Sequence, residues 1–119
     1  MIITKSTPYT QKEIEKLREL FDAYVKTVID INKKVCSAGA DRHFGSEKIL
    51  LEKGSKQSDI WGGGIDMTTK EIDCNAFINI RPTDNNQSNE ILDPKIREKY
   101  VTLTKYFFQE IYGANKNHS

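Results

Sequence analysis

The chain has 119 residues, of which 18 are Lys or Arg and 17 are Asp or Glu, so its formal net charge is +1. This near-balance argues against a nucleic-acid coat protein, and a content of 37% hydrophobic residues argues against a disordered chain. No apolar run approaches the roughly 18 residues that cross a bilayer, the start lacks the pattern of a secretory signal, and two cysteines do not form a disulfide scaffold. We expect one cytoplasmic globular domain over residues 1–113 and a flexible tail over 114–119.

The first helix is predicted at residues 11–23. Thr10 and Glu13 match the Thr-x-x-Glu capping box, in which each side chain accepts a hydrogen bond from a free N–H of the first turn. The apolar residues that follow recur at helical spacing. The Ile2-Ile3 pair ahead of this helix predicts a short edge strand.

The next segment predicts a hairpin and a short helix. β-Branched residues at alternate positions indicate a strand over 25–31, followed by a tight turn at Asn32-Lys33 and a returning strand over 35–38. Ser46–Gly54 is interpreted as a helix, with the serine as its N-cap and the glycine just past its end, although a strand also fits this stretch.

A second hairpin is predicted at residues 58–67 and 71–81, with its turn at 68–70. Alternate residues of the second of these strands are apolar, and Phe77 interrupts its otherwise polar face. A polar loop over 83–90 follows the strand.

The last helix begins at Pro94, with Asp93 as its N-cap, and ends at Gly113. Its apolar residues recur at steps of three and four, as a buried helical stripe does. The predicted fold class is α+β, with about four mostly antiparallel strands and the N-terminal and C-terminal helices packed on one face. An open sheet with a partly polar face leaves an edge for pairing, so we also predict a homodimer.

Several short motifs follow one another along residues 10–110, and together they make the chain similar to a known family. They are Val28-Ile29-Asp30-Ile31, His43, the run from Leu50 to Gly62 that contains Gly-Ser-Lys-Gln-Ser-Asp-Ile-Trp-Gly, Ile78-Asn79-Ile80-Arg81-Pro82, Asn86, Ser88 and Asp93-Pro94-Lys95-Ile96-Arg97. In this combination the chain resembles a small prokaryotic family of unknown function. That family has an acidic residue two positions after the histidine, where this chain has Gly45, so any chemistry that needs both groups is in doubt here.

His43 is the candidate for acid–base or metal chemistry, because an imidazole titrates near neutral pH. Asp41, Glu47 and Asp59 are the carboxylates that folding would have to bring to it, and the alternative is a hydrogen-bonded loop histidine. His118 lies in the predicted tail. The chain has no Cys-x-x-Cys and no His-x-x-x-His pair, so we predict no metal site and no cofactor.

Arg81 is the candidate anion-binding residue, because its guanidinium offers a planar fork of donors and the loop that follows carries Asn86 and Ser88. The alternative is that Arg81 pairs with a carboxylate and fixes its own loop. Trp61 precedes three glycines, which are interpreted as a bulge or turn rather than as a phosphate loop. We predict that Trp61, Arg81, Asn86 and Ser88 bind a ligand and lie around one concavity with His43.

Two functions from different classes remain open. The first is a non-catalytic binding or assembly domain that recognises a small anionic ligand or a protein partner. The second is a small hydrolase or metal-dependent enzyme centred on His43. Lysines scattered among acids predict no nucleic-acid binding, and Cys36 and Cys74 are predicted to be reduced core residues.

Overall fold

A five-stranded antiparallel sheet forms the centre of the protein. The computed structural model describes residues 1–113; residues 114–119, with the predicted tail and His118, lie outside the described residues. The strands are β1 (Ile3–Lys5), β2 (Tyr24–Asp30), β3 (Val35–Ala38), β4 (Ile60–Asp66) and β5 (Ile72–Asp73). Their order across the sheet is β1-β3-β2-β4-β5, and every neighbouring pair is antiparallel. The predicted α+β class is therefore confirmed.

Residues 1–113 also contain four helices and three short turns. The helices are α1 (Gln11–Leu20), α2 (His43–Glu52), α3 (Pro94–Phe107) and α4 (Gln109–Tyr112). Single 3₁₀ turns occupy Gln57–Asp59, Phe77–Asn79 and Pro82–Asp84. Within residues 1–113, no helix combines the length and the apolar character that crossing a membrane requires.

The apolar side chains form two separate clusters. The larger contains Val25 and Ile29 of β2 together with Leu17 of α1 and Phe107 of α3. The smaller is built on Val28 of β2, with contributions from α2 and β4. Because successive residues of a strand point to opposite faces, the two clusters lie on opposite faces of the sheet. Helix α2 therefore covers a different face from α1 and α3.

The predicted helix starts are confirmed at α1 and α3. The Thr10 hydroxyl accepts a hydrogen bond from the Glu13 N–H at 3.2 Å, and the Glu13 carboxylate accepts one from the Thr10 N–H at 2.8 Å. The Asp93 carboxylate accepts from the Lys95 N–H at 2.8 Å. Helix α1 is three residues shorter than predicted and ends at Leu20.

Helix α2 starts four residues earlier than the sequence predicted. Its N-cap is Arg42, and its first residue is His43, so the histidine belongs to a helix and not to a loop. Ser46 is not the cap: its hydroxyl is buried and accepts a hydrogen bond from the Ser37 hydroxyl of β3 at 3.0 Å. Gly54 does lie just past the helix end, with a φ of +99°.

The strand predicted at 71–81 is wrong beyond Asp73. The chain leaves the edge of β4 there, and the Asn79 side chain takes the place of a neighbouring strand. Its Oδ1 accepts from the Gly62 N–H, and its Nδ2 donates to the Gly62 carbonyl, both at 2.9 Å. The N–H and carbonyl of Gly62 are thus satisfied by an amide side chain, so the ladder can end although the apolar alternation continues.

The C-terminal helix is interrupted at Phe108, where the sequence predicted continuous helix to Gly113. The break brings two successive aromatic side chains into the larger cluster, because Phe107 and Phe108 are both fully buried. Phe108 stacks on Tyr9, with ring centroids 4.6 Å apart.

The buried Phe107 ring predicts a large stability loss on truncation. Phe107→Ala should lower the free energy of unfolding by about 3–5 kcal/mol, because it leaves a cavity between α3 and the sheet. The measurement is urea denaturation, with Phe77→Ala as the matched control, since the Phe77 side chain is 79% exposed. A loss below about 1 kcal/mol for Phe107→Ala would contradict this packing.

Candidate functional site

The three successive glycines lie in a regular strand and not in a bulge or turn. Gly62, Gly63 and Gly64 pair in register with Val28, Thr27 and Lys26 of β2. What requires glycine is close approach from both faces. A Cβ on Gly62 would lie 2.8 Å from the Ala76 methyl and 3.1 Å from the His43 ring. Because these three residues have no Cβ, side chains from other elements can pack directly against the backbone of β4.

The His43 ring is fixed against this strand. Its Nε2 lies 2.7 Å from the Gly63 carbonyl oxygen. A carbonyl can only accept, so Nε2 carries the hydrogen and the neutral ring keeps Nδ1 as an acceptor. Burial lowers the pKa of His43, and the nearby Lys26 ammonium lowers it further, while the Gly63 carbonyl and Asp73 act in the opposite sense. His43 is therefore held in its neutral form.

Two adjoining cavities share His43, Lys26 and Phe77, and we call them together the His43 cleft. The first, of about 390 Å³, is lined by Lys26, Asp41, Arg42, His43, Phe44, Phe77 and Ile78. The second, of about 320 Å³, is lined by Tyr24, Lys26, His43, Asp73, Asn75, Ala76, Phe77 and Asn89. Phe77 is 79% exposed and Phe44 is 60% exposed, so aromatic side chains in contact with solvent flank a small-molecule-sized cleft.

The charges of the cleft are unequally paired. The Asp73 carboxylate accepts hydrogen bonds from the Tyr24 hydroxyl at 2.7 Å and from the Asn75 N–H at 3.1 Å. Within residues 1–113, neither Lys26 nor Arg42 forms an ion pair. Lys26 is half-buried, and its ammonium lies 5.8 Å from the centroid of the Tyr24 ring. The cleft thus contains two cations that form no direct ion pair in the described residues, although the Asp41 and Asp73 carboxylates also line it.

The carboxylates proposed as partners of His43 are dispersed. Asp41 lines the first cavity with His43. Glu47 accepts a hydrogen bond from the Gln57 side chain at 3.3 Å. Asp59 lies in a 3₁₀ turn, and its backbone carbonyl accepts from the Ile31 N–H at 3.0 Å. In the described part of the chain, no three His, Cys, Asp or Glu side chains are grouped as metal ligands.

Arg81 and Trp61 form a second, buried constellation. The guanidinium lies 4.0 Å from the Trp61 ring centroid, and its Nη1 donates to the Gln57 carbonyl at 2.6 Å. Its Nε lies 3.3 Å from the Asp84 carboxylate. Burial lowers the pKa of Arg81, and the Asp84 and Glu47 carboxylates oppose that effect. The ion pair between Arg81 and a loop carboxylate, which the sequence analysis gave as the alternative to anion binding, is therefore present.

Asn86 and Ser88 hold the loop itself. The Asn86 side chain is buried, donates to the carbonyls of Asn79, Ser88 and Glu90, and accepts from the Leu92 N–H. The Ser88 hydroxyl accepts from the Glu90 N–H at 3.1 Å. These contacts account for both side chains structurally, and a ligand-binding role for them stays a prediction.

The structure does not bring these residues together around one of the cavities described. Trp61 and Arg81 touch each other, and Arg81 is bridged to Asn86 through the backbone. Neither cavity of the His43 cleft has any of the four predicted ligand-binding residues in its lining. Sequence reasoning missed Lys26, Phe44 and Phe77 as site residues. The available signal was Phe77 itself, an aromatic residue on an otherwise polar face.

Neither cysteine lines a cavity of the His43 cleft. Both are free and buried. Burial raises the pKa of the Cys36 thiol to about 12 and also raises that of Cys74. A thiol whose thiolate is disfavoured is a poor nucleophile. Their reduced, inert state stays a prediction.

Comparison with known proteins identifies a family and no described activity. The family model described as "Protein of unknown function (DUF5674)" matches residues 1–107. The comparisons with curated proteins and with solved structures found no match. The resemblance to a family of unknown function is therefore confirmed.

The depressed His43 pKa predicts a pH-dependent stability. The unfolded histidine has a pKa of about 6.5, so below that pH the unfolded state binds the proton more readily and stability falls. His43→Gln keeps an N–H donor for the Gly63 carbonyl but does not titrate. Between about pH 7.5 and pH 5.5, wild type should lose more free energy of unfolding than His43→Gln.

Ring-proton NMR gives the direct measurement of the same effect. The resonance that disappears in His43→Gln should titrate with a midpoint below about 6.5. A midpoint above that value would contradict the assignment of a neutral, buried ring.

Proposed function

We propose that this chain, which belongs to the DUF5674 family of unknown function, is a non-catalytic binding domain whose binding site is the His43 cleft. The recognised group combines an apolar or aromatic part with a negative charge. A small anionic ligand or a partner protein can carry that group. The observation behind the proposal is the pair of exposed Phe side chains beside an unpaired, half-buried Lys26.

The apolar half of the proposal rests on Phe44 and Phe77. Both side chains line the same cavity, and each keeps more than half of its surface in water, at 60% and 79% exposed. An adjoining pair of exposed aromatic rings beside a concavity is a feature of binding surfaces, because covering the rings removes apolar area from water. A flat aromatic or short aliphatic group fits the volume of about 390 Å³.

The charge half rests on Lys26 and Arg42. Lys26 projects from β2 into both cavities, and Arg42 is the N-cap of α2 at the cavity rim. Asp73 lines the second cavity together with Lys26 but forms no ion pair with it, and its carboxylate accepts a hydrogen bond from the Tyr24 hydroxyl. A carboxylate bound between the two cations gains charge-assisted hydrogen bonds that the free protein does not make.

A small hydrolase centred on His43 is the alternative. The Gly63 carbonyl accepts a hydrogen bond from Nε2 and so orients the ring in the cleft, as a hydrogen-bond acceptor orients the imidazole of a catalytic histidine. Nδ1 is then the atom that would act as general base. Asp41 lines the same cavity. A prokaryotic origin, a cytoplasmic location and a homodimer stay predictions from the sequence.

Binding of phenylacetate tests the proposal, because this probe joins an aromatic ring to a carboxylate. Backbone amide shifts of His43, Phe44 and Phe77 should change in a saturable way, with Kd in the millimolar range expected of a small fragment. Uncharged phenylacetamide should bind more weakly. An acetylated peptide with glutamate beside phenylalanine is the parallel probe, and tighter binding by the peptide would identify a protein partner as the source.

Two variants provide the controls. Phe77→Ala should weaken phenylacetate binding several-fold, whereas Leu20→Ala removes an apolar side chain that is 56% exposed on α1 and should leave binding unchanged. Absence of any saturable shift at the cleft with both probes would overturn the proposal. A different compound, the ester phenyl acetate, tests the alternative. If wild type hydrolyses this ester and His43→Gln does not, the hydrolase is favoured instead.

A further inference from the structure

All the unpartnered buried side-chain donors in the described part of the chain belong to one contacting pair. They are Trp61 Nε1, Arg81 Nε and Arg81 Nη2. Trp61 is 2% exposed and Arg81 is 7% exposed, so solvent does not reach these atoms freely. An unpaired buried donor costs about 1–3 kcal/mol, and a folded protein rarely keeps several of them side by side.

The geometry of the two Arg81 donors defines what they would accept. Nε–H and one Nη2–H lie on the same edge of a guanidinium and form a two-pronged fork, which matches two oxygens of a carboxylate or phosphate. The remaining nitrogen, Nη1, is already engaged by the Gln57 carbonyl at 2.6 Å. The free edge is therefore the oxyanion-binding edge, and the other end of the group is anchored to the backbone.

Trp61 orients this fork and adds a third donor. The guanidinium carbon lies 4.0 Å from the indole centroid, so stacking restricts the plane of the fork. All three free groups are donors and two of them belong to the positively charged guanidinium, so the complementary ligand is an acceptor with negative charge. Neutral donors and cations are excluded by the same chemistry.

Asp84 lies beside the fork without satisfying it. Its Oδ2 is 3.3 Å from Nε, yet Nε remains without a hydrogen bond. Asp84 belongs to the exposed Pro82–Asp84 turn, and about a third of its side chain, 32%, is in contact with solvent. Rotation of this one side chain toward solvent would therefore open the fork without displacing the core.

We infer that the Nε/Nη2 edge of Arg81, together with Trp61 Nε1, is a binding site for a small oxyanion, with Asp84 as the intramolecular carboxylate that the oxyanion displaces. This site does not depend on the proposed function of the His43 cleft, because neither cleft cavity has Arg81 or Trp61 in its lining. Phosphate and carboxylate share the required chemistry, and the two probes below distinguish them.

The sequence provides a specific reporter, since Trp61 is the only tryptophan in the chain. Its indole N–H signal is to be followed by ¹H–¹⁵N NMR while sodium phosphate or sodium acetate is added, with sodium chloride at matched ionic strength as the reference. A saturable shift with an oxyanion, larger than with chloride, is expected. Asp84→Asn removes the competing carboxylate and should tighten binding about fivefold.

Two further variants complete the test. Glu98→Gln removes the same charge from an exposed position of α3 and should bind as wild type does. Arg81→Lys keeps the charge but loses the fork, and should abolish the shift. No oxyanion-specific shift in either wild type or Asp84→Asn overturns the inference, even if Arg81→Lys fails to fold. A shift that persists in folded Arg81→Lys overturns it as well.

Discussion

The close packing of neighbouring side chains and backbone against the three central glycines of β4, Gly62, Gly63 and Gly64, is the constraint on which this structure depends. At Gly63, a Cβ would overlap the Asp73 carbonyl and lie 2.9 Å from the Tyr100 ring. At Gly62, a Cβ would meet Ala76 and the His43 ring, and at Gly64 it would overlap the Tyr24 ring. The helix layers and the edge of the sheet are packed at distances that only glycine permits.

The same strand positions both candidate sites. Because side chains alternate along β4, Trp61 and Gly62 belong to opposite faces of the sheet. Trp61 belongs to the larger apolar cluster, and its ring contacts the Arg81 guanidinium. Gly62 leaves space for the His43 ring on the face covered by α2. This alternation therefore explains why Trp61 and His43 do not share the single concavity that the sequence predicted.

Local signals in the sequence are sufficient to predict much of the fold. The capping box at Thr10 and the Asp93-Pro94 start are short-range hydrogen-bonding devices, and both form as predicted. The β-branched alternation predicts the strand β2 correctly, although Val28 and Asp30 on its other face are buried as well. The resemblance to a family of unknown function depended on ordered motifs, and the family match confirms it.

The features that the sequence does not predict depend on contacts between residues far apart in the chain. Alternation after Asp73 predicts a strand, but the Asn79 amide binds the backbone of Gly62, 17 residues away, and ends the ladder. Likewise, nothing local indicates that Lys26 and Phe77 share a cavity with His43. The sequence predicts Arg81 as an anion-binding candidate because an arginine at a predicted strand end has a distinctive chemistry. Its burial against Trp61 is visible only in the structure.

The most direct test of this account is the stability of Gly63→Ala measured beside Gly45→Ala. A methyl group at Gly45, inside α2, would meet only the Ala40 methyl at an ordinary 3.5 Å, so this variant should gain about 0.5–1 kcal/mol from helix propensity. Gly63→Ala should lose about 3 kcal/mol or fail to fold, because its methyl overlaps backbone. A Gly63→Ala protein as stable as wild type in urea denaturation would contradict the account.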